Sequence, residues 1–163
     1  MVRVFGVDPG IGRTGFGVID VDERQCPHLV DTGCIATQPN SEVSGRLLQL
    51  SEDIRSLFEL HSPDVLAIEE LYFAKNVTTG LTVAQARGVI LLEAARLHIP
   101  IAHYAPSQVK QTVTSSGSAP KRQVQEMVKL LLRLQEVPQP DDAADALAVA
   151  LCHTSFKQVS NIH

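Results

Sequence analysis

Val65-Leu66-Ala67-Ile68 offers apolar side chains to both faces of an extended chain, and two acids, Glu69 and Glu70, follow at once. A strand without polar alternation needs cover on both sides, which helices give it in a mostly parallel sheet. The flanking segments supply that cover. Leu47, Leu50, Ile54, Leu57 and Phe58 recur at helical spacing before the strand, and Pro63 stops that helix. A long helix is expected over 77–97, ended by Pro100, with a short strand at 101–104 beyond it.

The chain opens differently. Residues 2–7 suit a strand ending at Asp8, and Asp8-Pro9-Gly10 is turn chemistry. Further strands are expected over 14–21 and roughly 28–36, joined by tight connections that imply an antiparallel meander. Short helices fit 107–113 and the stretch after Pro120, where Val124, Met127, Val128 and Leu131 form an apolar face. Asp141-Asp142-Ala-Ala-Asp145 opens a last helix through about Cys152. The expected fold is α/β: a mixed five-stranded sheet, a three-strand meander plus parallel strands, flanked by helices. No domain boundary interrupts residues 1–163, and a short tail is expected from about 157.

The strand-end acids carry the functional argument. In open α/β sheets, sites form outside the carboxyl ends of strands. If the first and fourth strands are parallel neighbours, Asp8 and the acid after Ile68 share one edge. Residues three and four apart share a helix face, so Asp145 can converge with Asp142 or with Asp141. Spacing leaves open which of those two it joins, and whether Glu69 or Glu70 completes the set. Acids in a first helical turn also suit the helix macrodipole, which covers Asp141 and Asp142 better than Asp145. Ala143, Ala144, Ala146, Ala148 and Ala150 would let this helix approach the sheet closely. An all-oxygen pocket suits hard divalent cations, Mg²⁺ or Mn²⁺, two per site. Such paired cations serve phosphoryl chemistry by activating water and stabilising the leaving oxygen. A metal-dependent phosphodiesterase is the expected class.

Other features narrow the field. The net charge of −4 is unevenly spread: residues 72–133 hold eight Lys or Arg against two acids, between acidic ends. That distribution permits a polyanionic partner. Gly10-Ile-Gly12-Arg-Thr-Gly15 matches the spacing of a dinucleotide-binding loop, but a strand rather than a helix follows it. Cys26, Cys34 and Cys152 lack C-x-x-C spacing and fit free thiols in a reducing compartment. None of the six histidines has ligand spacing. No apolar run approaches the roughly 20 residues of a membrane span and no signal-peptide layout precedes the first strand, so no membrane association and a cytoplasmic location are expected.

These residues resemble one family, the RuvC Holliday-junction resolvases, along nearly the whole chain. The matching pieces are G-V-D-P-G-x-x-x-T-G-x-G-V at 6–18, A-I-E-E at 67–70, A-K-N at 74–76 and Q-A-R-G-V at 85–89. They continue with Q-V-K-Q-T-V at 108–113, K-x-Q-V-x-x-M-V at 121–128 and D-A-A-D-A-L-A at 142–148. The resemblance implies a ribonuclease-H-like fold and a homodimeric endonuclease that nicks four-way junction DNA symmetrically. The products would be a 5′-phosphate and a 3′-hydroxyl. It also implies work beside a branch-migration complex of RuvA and RuvB type proteins. Its register selects Asp8, Glu69, Asp142 and Asp145 as the catalytic, metal-binding acids and puts Lys110 and Lys121 at the DNA. Its junction-facing aromatic falls on Tyr72, where the family usually has phenylalanine; tyrosine keeps a stacking face and adds a hydroxyl.

The residues themselves extend the DNA-binding set. Tyr72 and Phe73 follow a strand-end acid, Lys75, Asn76 and Arg87 lie in the next loop and helix, and Lys110, Lys121 and Arg122 flank the polar loop 114–118. Lys and Arg there would grip phosphates without reading sequence. Two alternative enzymes share the early acid-glycine hairpin or the acids: a ribonuclease-H-like nuclease on RNA–DNA hybrids, and an actin-like phosphotransferase. The latter should carry a second glycine-rich motif, which is absent, and usually needs a longer chain. A non-catalytic DNA binder of the same fold would be expected to lose acids, whereas all four positions are acidic.

Overall fold

The computed structural model describes residues 1–71 and 77–160, with side chains to Ser155. Its strands are β1 (Val2–Asp8), β2 (Arg13–Val21), β3 (Pro27–Ala36), β4 (Val65–Glu69) and β5 (Ile101–Tyr104). Its helices are α1 (Val43–His61), α2 (Val77–Arg96), α3 (Pro106–Thr114), α4 (Lys121–Leu131) and α5 (Asp141–Ser160). The five strands form one sheet in the order β3-β2-β1-β4-β5. β1, β2 and β3 pair antiparallel, while β1–β4 and β4–β5 are parallel. The mixed sheet expected from the apolar pattern is therefore present, with β1 and β4 as parallel neighbours.

Strand alternation sends successive side chains to opposite faces. Phe5, Val7, Leu66 and Ile68 join the core beneath α1 and α2, with Leu50, Ile54, Phe58, Ala86 and Ile90. Val4, Val65 and Ala67 join the opposite core, beneath α3, α4 and α5. In the first core Phe5 meets Phe58 edge-on at 5.0 Å and stacks on Phe16 at 5.8 Å.

α5 lies almost directly on the sheet. Ala143, Ala144, Ala146, Ala148 and Ala150 are all buried, as their small size requires. The sheet contributes equally to this closeness. A Cβ at Gly6 would run into the Ala146 carbonyl, and one at Gly15 into the Asp142 carbonyl. The glycines of the early hairpin thus clear a seat for the last helix.

One helix end and one core-facing residue differ from expectation. α5 continues past Cys152 to Ser160, because no glycine or proline follows to stop it. In α4, Leu131 is 41% exposed and Leu132 is buried instead. The helix ends at Leu131, and the left-handed residue Arg133 turns the chain so that Leu132 points inward.

Candidate active site

Asp8 is the last residue of β1 and Glu69 the last of β4. Val7 pairs with Ile68 in the parallel ladder, so the two acids are adjacent strand ends. Val7 and Ile68 point into the α1–α2 core, so alternation turns Asp8 and Glu69 towards α5.

α5 delivers the helix acids. Its start is pinned against Gly15, the residue paired with Asp8 across the β1–β2 hairpin. Asp145 shares one cleft with Asp8, Glu69, Lys110 and Lys121, which Pro106, Val109, Val124 and Ala148 complete. Asp142 does not line that cleft. Its Oδ2 lies 3.0 Å from Arg13 Nε, at the start of β2. Lys121 Nζ lies 3.0 Å from Asp145 Oδ2 and 3.5 Å from Asp141 Oδ2. The structure thus brings three of the four selected acids to one cleft and keeps the fourth at its rim.

The electrostatics show what the cleft lacks. Burial, then the charges of Asp145, Glu69 and Asp142, push the Asp8 carboxyl up to about 7. Burial and Asp145 push Glu69 to about 7 as well, with Lys110 opposing. Burial raises Asp145 against the pull of Lys121. Among the described residues, no group of three or more His, Cys, Asp or Glu side chains is drawn tightly enough together to hold an ion. Asp142 pairs instead with Arg13, and Asp145 with Lys121. The donor set is nonetheless purely carboxylate oxygen, desolvated and short of positive charge, which fits a hard divalent cation.

A pH dependence follows. Asp8 and Glu69 bind protons more tightly in the folded chain than in the unfolded one. Their protonation therefore favours folding at low pH, and this help fades as pH rises from about 4 to about 7. Metal-free protein should melt roughly 5–10 °C lower at pH 8 than at pH 5, reflecting about 2–4 kcal/mol. Added Mn²⁺ should recover more of that loss at pH 8 than at pH 5. Thermal melts measure both effects, and a higher melting temperature at pH 8 without metal would contradict the arrangement.

The DNA-binding candidates are distributed unevenly. Tyr72, Lys75 and Asn76 lie outside the described residues, as does Phe73. Lys110 and Lys121 line the cleft. Arg122 is exposed beside Lys121 at the start of α4. Arg87 is half-buried: its Nε donates to the Glu69 carbonyl at 3.2 Å, and its guanidinium lies 2.7 Å from His103 Nδ1 at the surface. It braces the backbone of a strand-end acid. Arg13 was not anticipated from the sequence. The signal for it lies in the hairpin register, since Asp8 opposite Gly15 puts Arg13 on the same sheet face as Asp8.

Comparison with known proteins shows which family the chain is similar to. The family model described as "Crossover junction endodeoxyribonuclease RuvC" matches residues 4–153. A protein of that name from Brevibacillus brevis is 50% identical over 161 residues, covering 99% of this chain and 96% of the relative. One from Petrotoga mobilis is 48% identical over 155 residues, covering 95% and 94%. The solved structure of Thermus thermophilus RuvC in complex with a Holliday junction substrate superimposes with a TM-score of 0.92 at 31% identity, covering 98% of this chain and 97% of that one. The fold is ribonuclease-H-like.

Proposed function

Because the chain belongs to the RuvC family of crossover junction endodeoxyribonucleases, we propose that it resolves four-way DNA junctions by paired symmetric nicks, in homologous recombination and DNA repair. The observation that carries this reading is the meeting of Asp8, Glu69 and Asp145 with Lys110 and Lys121 in one open cleft. Acids alone would repel a phosphodiester; the two lysines give it a place to dock.

Asp8, Glu69, Asp142 and Asp145 are the residues that would hold Mg²⁺ or Mn²⁺, two ions per site. Bound there, the ions would supply charge neutralisation, an activated water and a stabilised leaving oxygen. The chain's own residues do the positioning. β1 and β4 hold Asp8 and Glu69 at fixed strand ends, Arg87 braces the Glu69 carbonyl, and α5 presents Asp145. Hydrolysis would leave a 5′-phosphate and a 3′-hydroxyl. Tyr72, Lys75, Asn76, Arg87, Lys110, Lys121 and Arg122 form the proposed DNA-contacting set. Paired nicks need two active sites, hence a homodimer, and the family resemblance supports action beside a branch-migration complex in the cytoplasm. Among the described residues no helix is long and apolar enough to cross a membrane.

The test compares synthetic four-way junctions, duplex DNA and RNA–DNA hybrid, with Mg²⁺, with Mn²⁺ and with neither. Cutting should be confined to junctions and should need metal. Preferential cutting of the hybrid would overturn the proposal. A companion measurement addresses the lysines: Lys110→Ala and Lys121→Ala should each weaken junction binding and lower the slope of log affinity against log salt by about 0.9 for each phosphate no longer neutralised. A slope unchanged from wild type would take that lysine out of the interface.

A further inference from the structure

Arg13 is placed to do more than neutralise one acid. It opens β2 two residues before Gly15, so it shares a sheet face with Gly15 and with Asp8 opposite. That is the face on which α5 begins. Arg13 Nε lies 3.0 Å from Asp142 Oδ2, while its side chain stays 55% exposed. Lys121 approaches Asp145 at the same distance from α4. Two cations thus reach the two helix acids from different elements, β2 and α4.

The turn that carries Arg13 is firmly held. Thr14 Oγ1 donates to the Gly10 carbonyl at 2.6 Å, and the Thr37 amide donates to the Gly12 carbonyl at 3.1 Å. Arg46 donates through Nε to Thr37 Oγ1 at 2.9 Å, with its guanidinium against Gly12. Arg13 therefore springs from a fixed base with a solvent-facing head. The Cys34 thiol and Asp142 are its neighbours there. A guanidinium has five N–H donors, more than the single carboxylate of Asp142 can satisfy, and its 3.0 Å contact to that carboxylate runs through Nε.

We propose that Arg13 is a phosphate-binding residue that Asp142 holds in reserve: it pairs with that carboxylate in the free chain and passes to a DNA phosphate when a divalent cation takes Asp142. The proposal rests on the nuclease reading and adds a DNA contact to it. A cation on Asp142 cancels the charge that retains Arg13. An incoming phosphate then offers the guanidinium two parallel hydrogen bonds, which a lysine cannot match. Because the pair is half exposed, little desolvation opposes the exchange.

Full-length Arg13→Gln and Arg13→Lys test it through two readouts other than cleavage. The first is Mn²⁺ binding without DNA, by titration calorimetry. The second is junction binding against salt in Mn²⁺, on junctions carrying phosphorothioates at the crossover to slow cutting. Arg13→Gln should bind Mn²⁺ several-fold tighter, since its competitor is gone. It should bind the junction about 5–10-fold more weakly, with a salt slope lower by about 0.9. Arg13→Lys should keep most of the slope. A slope and junction affinity equal to wild type in Arg13→Gln would overturn the proposal, and so would weakened Mn²⁺ binding with an unchanged slope, which would make Arg13 only an orienter of Asp142. Wild-type protein that prefers another nucleic acid would remove the junction reading alone, because the slope comparison can be made on whichever substrate it binds. Wild-type protein that binds no nucleic acid would remove both.

Discussion

Asp145→Asn should leave junction binding within about threefold of wild type while cleavage falls by about three orders of magnitude or more. Asp145 shares the cleft with Asp8 and Glu69, and its charge raises the carboxyls of both. Removing that charge makes the cleft less hostile to a polyanion, so binding has no reason to weaken. Asparagine also keeps an oxygen within reach of Lys121, whose Nζ lies 3.0 Å from the native carboxylate. Cleavage is another matter. Divalent cations in such sites contribute several kcal/mol to the transition state, and each ~1.4 kcal/mol is a factor of ten in rate. A gel shift beside a cleavage assay on one preparation separates the two effects. Wild-type cutting by the variant would remove Asp145 from the chemistry.

Gly15→Ala should cost about 100-fold in activity and about 1–3 kcal/mol in stability. The added Cβ would overlap the carbonyl and the Cβ of Asp142. Those atoms belong to the first turn of α5 and cannot rotate aside, so the helix start has to shift. Overpacking of this kind costs ~1–3 kcal/mol. Displacing catalytic groups by about 1 Å costs roughly 10²-fold in rate. Denaturant unfolding and single-turnover cleavage would read the two numbers. Native activity in a fully folded variant would show that the helix start is not seated as described.

The sequence made the sheet legible because its signals are local. Val65–Ile68, apolar on both faces, is a buried central strand, and the early Asp-Pro-Gly turn makes the hairpin it suggests. The strand-end positions of Asp8 and Glu69 were readable for the same reason. The choice between Asp141 and Asp142 was not, because helix spacing permits either. The structure puts Asp141 at the surface, 55% exposed, with Lys121 as its nearest cation. What stayed hidden depends on contacts between distant segments. Gly15 read as a hairpin residue and Gly6 as part of the first strand, yet both clear room for a helix more than 120 residues later. Arg87 read as a phosphate-gripping cation, and its bond to the Glu69 carbonyl could not be foreseen from spacing. Arg13 sat in a stretch dominated by acids, and only the pairing of Asp8 with Gly15 brings it to the site.

The seating of α5 on β1 and β2 also bears on when a newly made chain becomes dangerous to DNA. Asp8 leaves the ribosome well before Asp145, which lies far along the chain from it. Until α5 has emerged and docked on the hairpin glycines, β1 and β4 carry only half of the acid set. A nascent chain, or one cut short before Asp141, therefore cannot bring the proposed acid set together.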